Sequence, residues 1–173
     1  MRGSEITHEL AVDSIYTALL QIMEKKPYEQ ISITDITRRA GVSRMAYYRN
    51  YESKDEILTK RLDKTIDSII EKIDRGEYKS KEDGIEDFFT VFRSEIILQT
   101  IVKAGLVDKL VDAHMRLMME VYKKVYRLDL SIPENMMKLY AEMGSMVGMI
   151  LYCAEYGDDK DSTVVARLLS SFG

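Results

Sequence analysis

Basic side chains are concentrated in one short stretch of the chain, between residues 34 and 54. Arg38, Arg39, Arg44, Arg49 and Lys54 lie there with only two acidic residues. Arginine can form two hydrogen bonds with the acceptors of guanine, and both arginine and lysine neutralise phosphate groups. This stretch therefore has the chemistry to bind a nucleic acid, although scattered surface charges are more often only solvated.

The net charge of the whole chain, −4 at pH 7, disfavours a nucleic-acid partner when it is taken alone. The distribution of charge is more informative than the sum. Residues 1–54 carry eight Lys/Arg and seven Asp/Glu, a net of +1, whereas residues 55–173 carry seventeen and twenty-two, a net of −5. A weakly basic segment thus precedes an acidic one.

The composition predicts an all-α protein. The chain has 173 residues with only two prolines and no tryptophan, and it is rich in Leu, Ile, Met, Glu and Lys. Straight-chain residues lose little side-chain freedom in a helix, which favours helices throughout. A hydrophobic fraction of 46% is enough for a packed core.

Few residues offer catalytic or metal-binding chemistry. The single cysteine, Cys153, allows neither an intramolecular disulfide framework nor a structural zinc site of several thiolates. His8 and His114 have no metal-binding spacing, and no catalytic constellation is present. We therefore expect a protein that is not an enzyme and has no cofactor or metal, with Cys153 as a buried, unreactive thiol.

No apolar stretch approaches the roughly 18 residues that span a bilayer, and the N-terminus lacks the apolar run of a signal peptide. We expect a cytoplasmic protein without membrane contact.

Hydrophobic periodicity and capping residues predict nine helices, with no strand, internal repeat or glycine-rich phosphate loop. Eight of them are expected at about 7–25, 33–40, 44–50, 54–74, 96–103, 107–127, 133–156 and 162–172. The remaining one, fifth in the chain, is capped by Ser80 and carries Phe88, Phe89 and Phe92. The fourth helix connects the N-terminal segment to the rest without a flexible linker. A rigid helix can transmit a displacement, so this connection has a mechanical consequence.

The second and third helices form a helix-turn-helix pattern around Gly41-Val42-Ser43. Glycine tolerates the positive φ needed to leave a helix abruptly, and a serine caps the next helix. The pairs Ser32/Asp35 and Ser53/Glu56 have the spacing of capping boxes, which predicts where the second and fourth helices begin.

The sequence from about Leu10 to Leu62 resembles the TetR family of transcriptional regulators. The resemblance lies in Ile33-Thr34-Asp35-Ile36, Ala40-Gly41-Val42-Ser43, Tyr47-Tyr48, Tyr51 and Ser53-Lys54-Asp55-Glu56-Ile57-Leu58. It implies that Tyr48 contacts phosphate from the recognition helix and that Lys54 makes a second phosphate contact. Many family members carry phenylalanine at the position of Tyr51 and glycine or a polar residue at that of Met45.

Side-chain chemistry extends this candidate DNA-binding set. Thr34 and Ser43 can donate to phosphate, while Arg44 and Arg49 can pair with guanine. Met45 can contact a thymine methyl group, and Ala46 is small enough to allow close approach.

The resemblance also implies a division of the chain into a DNA-binding domain of residues 1–52 and a helical dimerisation and effector domain of residues 53–173. A homodimer would place two recognition helices in successive major grooves of a palindromic double-stranded operator, with half-sites roughly 34–36 Å apart. Repression is the commoner mode in the family, and release by a small-molecule effector is the expected mechanism.

Two groups of residues are candidates for the effector pocket and the dimer interface. The pocket candidates are Phe88, Phe92, His114, Met115 and Met118, although for each methionine ordinary core packing is the simpler interpretation. For the interface, Gly144 and Gly148 would let another helix approach closely, with intrachain packing as the alternative. The other interface candidates are Val147, Leu151, Val165 and Leu168.

Two other functions remain open. A TetR-like coregulator could sense another protein rather than a small molecule, and sequence cannot distinguish it from an effector-binding regulator. An enzyme is the second alternative, and screening with hydrolase and transferase substrates would detect it.

Overall fold

The structure, a computed structural model, describes residues 2–94 and 97–156. Contacts along the chain divide it into an N-terminal unit, Met1–Arg61, and a C-terminal unit, Leu62–Gly173. This division falls inside a helix rather than before it. The functional boundary between residues 52 and 53 therefore stays a prediction.

Three helices and the beginning of a fourth form the N-terminal unit. They are α1 (Arg2–Met23), α2 (Ile33–Ala40), α3 (Arg44–Tyr48) and α4 (Asp55–Asp74), with a 3₁₀ turn at Tyr28–Gln30 between α1 and α2. Helix α1 packs against both α2 and α3. The core of this unit consists of apolar and aromatic side chains, among them Ile15, Leu19, Ile36, Tyr47 and Leu58.

Helix α2 begins and ends at the predicted residues, because both ends are capped as the sequence indicates. The Ser32 hydroxyl accepts from the Asp35 N–H at 3.1 Å, and the Asp35 carboxylate accepts from the Ser32 N–H at 3.0 Å. Lys26 donates to the same carboxylate and, with Ser32, holds the pKa of Asp35 well below its usual range. At the other end Gly41 adopts φ 69°, the left-handed conformation that glycine tolerates best.

The capping box predicted for α4 forms in a modified way. The Ser53 hydroxyl accepts from the Glu56 N–H at 3.4 Å, as expected. The Glu56 carboxylate instead accepts from the N–H of Glu52, at 3.0 Å. The Glu56 carboxylate therefore binds the N–H of Glu52 rather than that of Ser53, the residue expected from the capping-box pattern.

The C-terminal unit contains the rest of α4 and four further helices. They are α5 (Lys81–Ser94), α6 (Ile97–Lys103), α7 (Val107–Glu120) and α8 (Pro133–Tyr156). A π-helical turn, Val121–Val125, extends α7. Helices α6 and α7 pack against α8 and against each other. The core side chains include Ile66, Phe88, Ile101, Leu117, Tyr122, Leu139 and Ile150.

The all-α prediction is confirmed, with eight α-helices in the described residues. Helix α1 begins earlier than expected, and the long helix expected at 107–127 is divided into α7 and the π turn. The helix expected at 162–172 lies outside the described residues. Among the helices of residues 2–94 and 97–156, none combines the length and the apolar character needed to cross a membrane.

Candidate nucleic-acid interface and C-terminal cavity

Helices α2 and α3 present most of the predicted DNA-binding residues to solvent. Ser43 caps α3 by accepting from the Ala46 N–H at 3.0 Å, which fixes the direction of this five-residue helix. Ala46 is half-buried, whereas Met45 is 71% and Tyr48 50% exposed. We define the α2–α3 surface by its exposed members, Thr34, Ser43, Arg44, Met45, Tyr48 and Arg49.

The arginines of this surface are available for a partner. Arg44 and Arg49 are exposed and form no ion pair with any residue that the structure describes. Arg39, by contrast, donates to the Gln21 side chain at 2.8 Å. A side chain that already has an intrachain partner must break that contact before it can bind DNA. Arg44 and Arg49 have no such contact to break, so they are better suited to phosphate or base contacts.

Neighbouring tyrosines of α3 have opposite roles. Tyr47 is fully buried, and its ring packs against those of Tyr48 and Tyr51 at centroid distances of 5.4 and 5.7 Å. Burial raises the pKa of the Tyr47 hydroxyl. Tyr51 is also buried, as expected for a ring at a position where many TetR family members have phenylalanine. Tyr47 and Tyr51 therefore anchor α3, which leaves Tyr48 free to face outward.

Lys54 has a structural role that the sequence did not reveal. Its ammonium donates to the carbonyls of Tyr28, Glu29 and Ile31 at 2.6, 3.2 and 3.2 Å. The same group lies 4.4 Å from the centre of the Tyr28 ring. The Tyr28 hydroxyl in turn donates to Asp55 at 2.6 Å, and burial together with this bond raises the pKa of that hydroxyl.

These contacts bear on the predicted phosphate contact of Lys54. An ammonium has three donors, and all three point at carbonyls of the N-terminal unit. A phosphate contact would have to replace one of them, so that role stays a prediction. Lys54 and its carbonyl acceptors are more than twenty residues apart, and no local spacing rule links positions so distant.

A cavity of about 100 Å³ lies within the C-terminal unit. Helices α4, α5, α7 and α8 contribute to its wall, together with the π turn. Its apolar lining residues are Ile69, Ile73, Ile85, Phe88, Leu117, Met118, Val121, Val125 and Met146. Its polar lining residues are Tyr78, Ser80, His114, Tyr126, Glu142 and Ser145.

His114 is the most unusual residue of the cavity wall. It is 1% exposed, and neither ring nitrogen has a hydrogen-bond partner among the described residues. Its ring packs edge-on against Phe88, with centroids 5.4 Å apart. Burial lowers the pKa of the imidazole from 6.5 to about 4, so His114 is neutral at physiological pH. A buried polar group without a partner costs about 1–3 kcal/mol.

Three of the five predicted pocket residues line the cavity, and the other two do not appear among its described lining residues. Phe88, His114 and Met118 line the cavity. Met115 is half-buried and is not among the lining residues, because it follows His114 on α7 and so lies on an adjacent face of the helix. The side chain of Phe92 lies outside the described residues. Glu142 and Met146 were missed, although their spacing of four on α8 could have indicated a shared face.

One face of α8 carries apolar residues that no other described part of the chain covers. We define the open face of α8 by Met137, Tyr140, Gly144, Gly148 and Leu151, all of which are exposed. A Cβ atom at either glycine would meet no other heavy atom within 4 Å. The predicted interface residue Val147 is half-buried beside this face, while Val165 and Leu168 lie outside the described residues.

Comparison with known proteins identifies relatives among transcriptional regulators. Residues 15–60 match the family described as bacterial regulatory proteins, tetR family. The HTH-type transcriptional regulator EthR of Mycolicibacterium smegmatis is 30% identical over 47% of this chain and 41% of EthR. The uncharacterized HTH-type transcriptional regulator YxbF of Bacillus subtilis is 26% identical over 92% of this chain and 43% of YxbF. The chain thus spans about two-fifths of the length of these relatives.

The fold also has a solved counterpart. The structure of the fatty acid degradation regulator FadR from Bacillus halodurans aligns with a TM-score of 0.63 and covers 94% of this chain and 93% of that one. The two sequences are 16% identical, so this likeness concerns the fold alone.

Replacing Lys54 separates its structural role from a contact with DNA. Lys54→Met removes the ammonium that donates hydrogen bonds to three backbone carbonyls, and two of these bonds are partly buried. The substitution should lower the free energy of unfolding by about 2–3 kcal/mol, because hydrogen bonds from charged groups contribute about that much. Chemical denaturation measures it. The control Lys64→Met, at an exposed position on α4, should change stability by less than about 0.5 kcal/mol. Equal stability of the two variants would contradict the structural role.

The His114 imidazole should make stability depend on pH. The unfolded chain takes up a proton near pH 6.5, whereas the folded chain resists protonation until about pH 4, so acidification favours unfolding. Between pH 7 and pH 5 the wild type should lose about 2 kcal/mol more than His114→Phe. Denaturation at both pH values tests this, with His8→Gln, at an exposed histidine, retaining the wild-type slope. Parallel slopes for wild type and His114→Phe would rule out this origin.

Proposed function

We propose that this chain, whose residues 15–60 match the tetR family of bacterial regulatory proteins, is a transcriptional regulator of that family and binds a palindromic operator as a homodimer. In the proposal, residues 1–52 bind DNA, and residues 53–173 hold two copies together and bind an effector. Repression is the proposed mode of action. A chromosomal operator as the binding partner supports a cytoplasmic location.

The observation that carries this proposal is the α2–α3 surface. Its residues combine two unpaired guanidinium groups, an exposed phenol and the hydroxyls of Thr34 and Ser43 on one helix-turn-helix. Arginine can read guanine, and the phenol and hydroxyl groups can donate to phosphates on either side.

The open face of α8 supports a homodimer. Met137 is 72% and Tyr140 55% exposed, while Gly144 and Gly148 leave room for a second helix to approach. Pairing this face with its equivalent in a second copy would bury both apolar surfaces in a symmetric interface. Two DNA-binding domains joined in this way gain affinity from effective concentration rather than from new contacts.

The cavity supports the effector part of the proposal. It is mostly apolar and has one unsatisfied imidazole, which is the usual combination in small-molecule sites. An effector that binds one arrangement of the dimer more tightly than the other shifts the population away from the DNA-competent state.

Selection of genomic fragments by the purified protein at physiological salt tests the DNA-binding function. We expect enrichment of a palindrome. Arg44→Ala should weaken binding to it by about tenfold or more and relax the preference at one base position, because a bidentate base contact is worth about 1–3 kcal/mol. Tyr48→Phe should weaken binding to all sequences by about fivefold, since it removes one phosphate hydrogen bond of about 1 kcal/mol.

The matched control is Lys109→Ala, which removes an exposed cation on α7 and should leave DNA affinity unchanged. If a folded dimer enriched no fragment at any salt concentration, the DNA-binding proposal would fail. A protein partner would then become the leading alternative.

Placing a charge in the open face of α8 tests the dimer. Gly148→Glu has space for its side chain within one copy, so the monomer should fold, but the carboxylates of two copies would be buried against each other. We expect a monomer at micromolar concentration in sedimentation experiments and a loss of operator affinity of about a hundredfold or more. Lys138→Gln, on the same helix, should remain dimeric. A dimeric Gly148→Glu protein with wild-type operator affinity would exclude this interface.

A further inference from the structure

The C-terminal end of α3 is held by a side chain that lies outside the α2–α3 surface. Helix α3 ends at Tyr48, and the N–H of Asn50 donates to the Tyr47 carbonyl at 2.9 Å. The Asn50 N–H is therefore directed away from the Ala46 carbonyl, the acceptor that a continuing α-helix would give it. The Asn50 side-chain amide replaces this donor and lies 2.8 Å from the Ala46 carbonyl. Asn50 thus caps the last turn of α3.

Asn50 is in turn held by Lys60, a residue of α4. The backbone carbonyl of Asn50 accepts from the Lys60 ammonium at 2.8 Å. The same ammonium pairs with the Glu56 carboxylate at 2.8 Å and lies 5.5 Å from the centre of the buried Tyr51 ring. Glu56 also accepts from the Glu52 N–H at 3.0 Å, which fixes the carboxylate. A chain of contacts therefore runs from α4 to the last turn of α3.

These contacts determine where Arg49 lies. Helix α3 has five residues, little more than one turn, so its orientation depends on how its two ends are held. Ser43 caps the N-terminal end, beside Arg44, and Asn50 caps the C-terminal end, directly after Arg49. The Arg49 side chain is exposed, so its backbone is held while its guanidinium group remains open to a partner.

An arginine that reads a base needs this support more than one that binds a phosphate. Specific recognition requires placement to within about 0.5 Å, because both hydrogen bonds of a bidentate contact must form together. Phosphate contacts depend mainly on charge and carry no sequence information directly. Loosening the C-terminal end of α3 should therefore cost specificity before it costs general attraction to DNA.

The partners of Lys60 make it poorly suited to bind a phosphate itself. Two of the three donors of its ammonium are used, by the Asn50 carbonyl and the Glu56 carboxylate. Lys60 also holds the pKa of the Glu56 carboxyl below its ordinary value, so this partner is ionised at neutral pH and offsets the charge of Lys60. An ammonium that is already neutralised releases fewer counterions on binding DNA.

We propose that Lys60 and Asn50 are positioning residues for base recognition, which hold the C-terminal end of α3 so that Arg49 reads its base. Neither residue touches DNA in this arrangement. The inference rests on the DNA-binding function proposed above and adds two determinants of specificity to it. Lys60 acts through Asn50, and Asn50 acts through the backbone of α3.

Affinity for the selected operator and for a scrambled duplex of the same length, measured at several salt concentrations, tests the proposal. Lys60→Met and Asn50→Ala should each lower the ratio of the two affinities about tenfold, because a bidentate base contact contributes at least that much discrimination. Lys60→Arg, which keeps a donor and a charge, should restore most of the ratio. The Lys60 side chain is 54% exposed, so its replacement should leave the protein folded.

The matched control is Lys64→Met, which removes the same charge from an exposed position one turn further along α4. It should keep the wild-type ratio, and its salt dependence on the scrambled duplex should equal that of Lys60→Met. An unchanged ratio for Lys60→Met or Asn50→Ala would overturn the proposal. A salt slope for Lys60→Met that is lower than that of the control by about one would also overturn it, because Lys60 would then be a phosphate contact.

Fragment selection with the variants shows which base is affected. Lys60→Met should relax the base position that Arg49→Ala relaxes and should preserve the position that depends on Arg44, at the other end of α3. The double variant Lys60→Met/Arg49→Ala should lose no more specificity than Arg49→Ala, since both changes remove the same contact. Additive losses, equal relaxation at both positions, or no position that depends on Arg49 would overturn the role of Lys60.

Backbone ¹⁵N relaxation of the DNA-free protein gives a measurement that does not depend on affinity. In Lys60→Met the order parameters of the Arg49 and Asn50 N–H groups should fall from about 0.85 to below about 0.6, while that of buried Tyr47 stays high. Unchanged values would overturn the positioning role. If the wild type selected no DNA sequence, the proposed function would fail, and this inference with it. Selection of a palindrome by the wild type, with full specificity retained in Lys60→Met, would overturn this inference alone.

Discussion

Three hydrogen bonds from one ammonium group fix the geometry on which the N-terminal unit depends. Lys54 immediately precedes α4 and donates to carbonyls in the turn that precedes α2. That turn leads directly into Ser32, the N-cap of α2, so the same bonds set where the helix-turn-helix begins. A residue between α3 and α4 thus constrains the first helix of the motif, and the orientation of Arg44 and Tyr48 depends on this closed arrangement.

Within this arrangement, α3 is too short to be stable on its own, since isolated helices of fewer than about 12 residues are marginal in water. Tyr47 supplies the missing stability through burial among aromatic rings, and Ser43 satisfies one of the exposed N–H groups. As a consequence, the buried side chain of Tyr47 is followed directly by the exposed side chain of Tyr48. Tyr48 can act on a partner because Tyr47 carries the packing.

Local rules were enough to predict most of the helix boundaries, and distant contacts explain what they missed. Ser32, Gly41 and Ser43 act through neighbours three or four residues away, so their roles follow from spacing. The acceptors of Lys54 come from the turn before α2 and the Phe88 neighbour of His114 from another helix, and no period in the sequence relates them. The same limit applies to the π turn after α7, because the apolar pattern continues through Tyr126 without a break in its period.

The Tyr47 hydroxyl and both ring nitrogens of His114 are buried without hydrogen-bond partners among the described residues, and the two side chains lie in different surroundings. The Tyr47 hydroxyl belongs to a ring that fills the core of the N-terminal unit, where the gain from burying an aromatic side chain offsets one unsatisfied group. His114 brings less apolar surface and leaves two nitrogens unsatisfied. A leucine would pack as well at that position without this cost, so packing alone does not account for an imidazole in the cavity wall. The effector role proposed above would account for it, because a bound molecule could supply the missing hydrogen-bond partner.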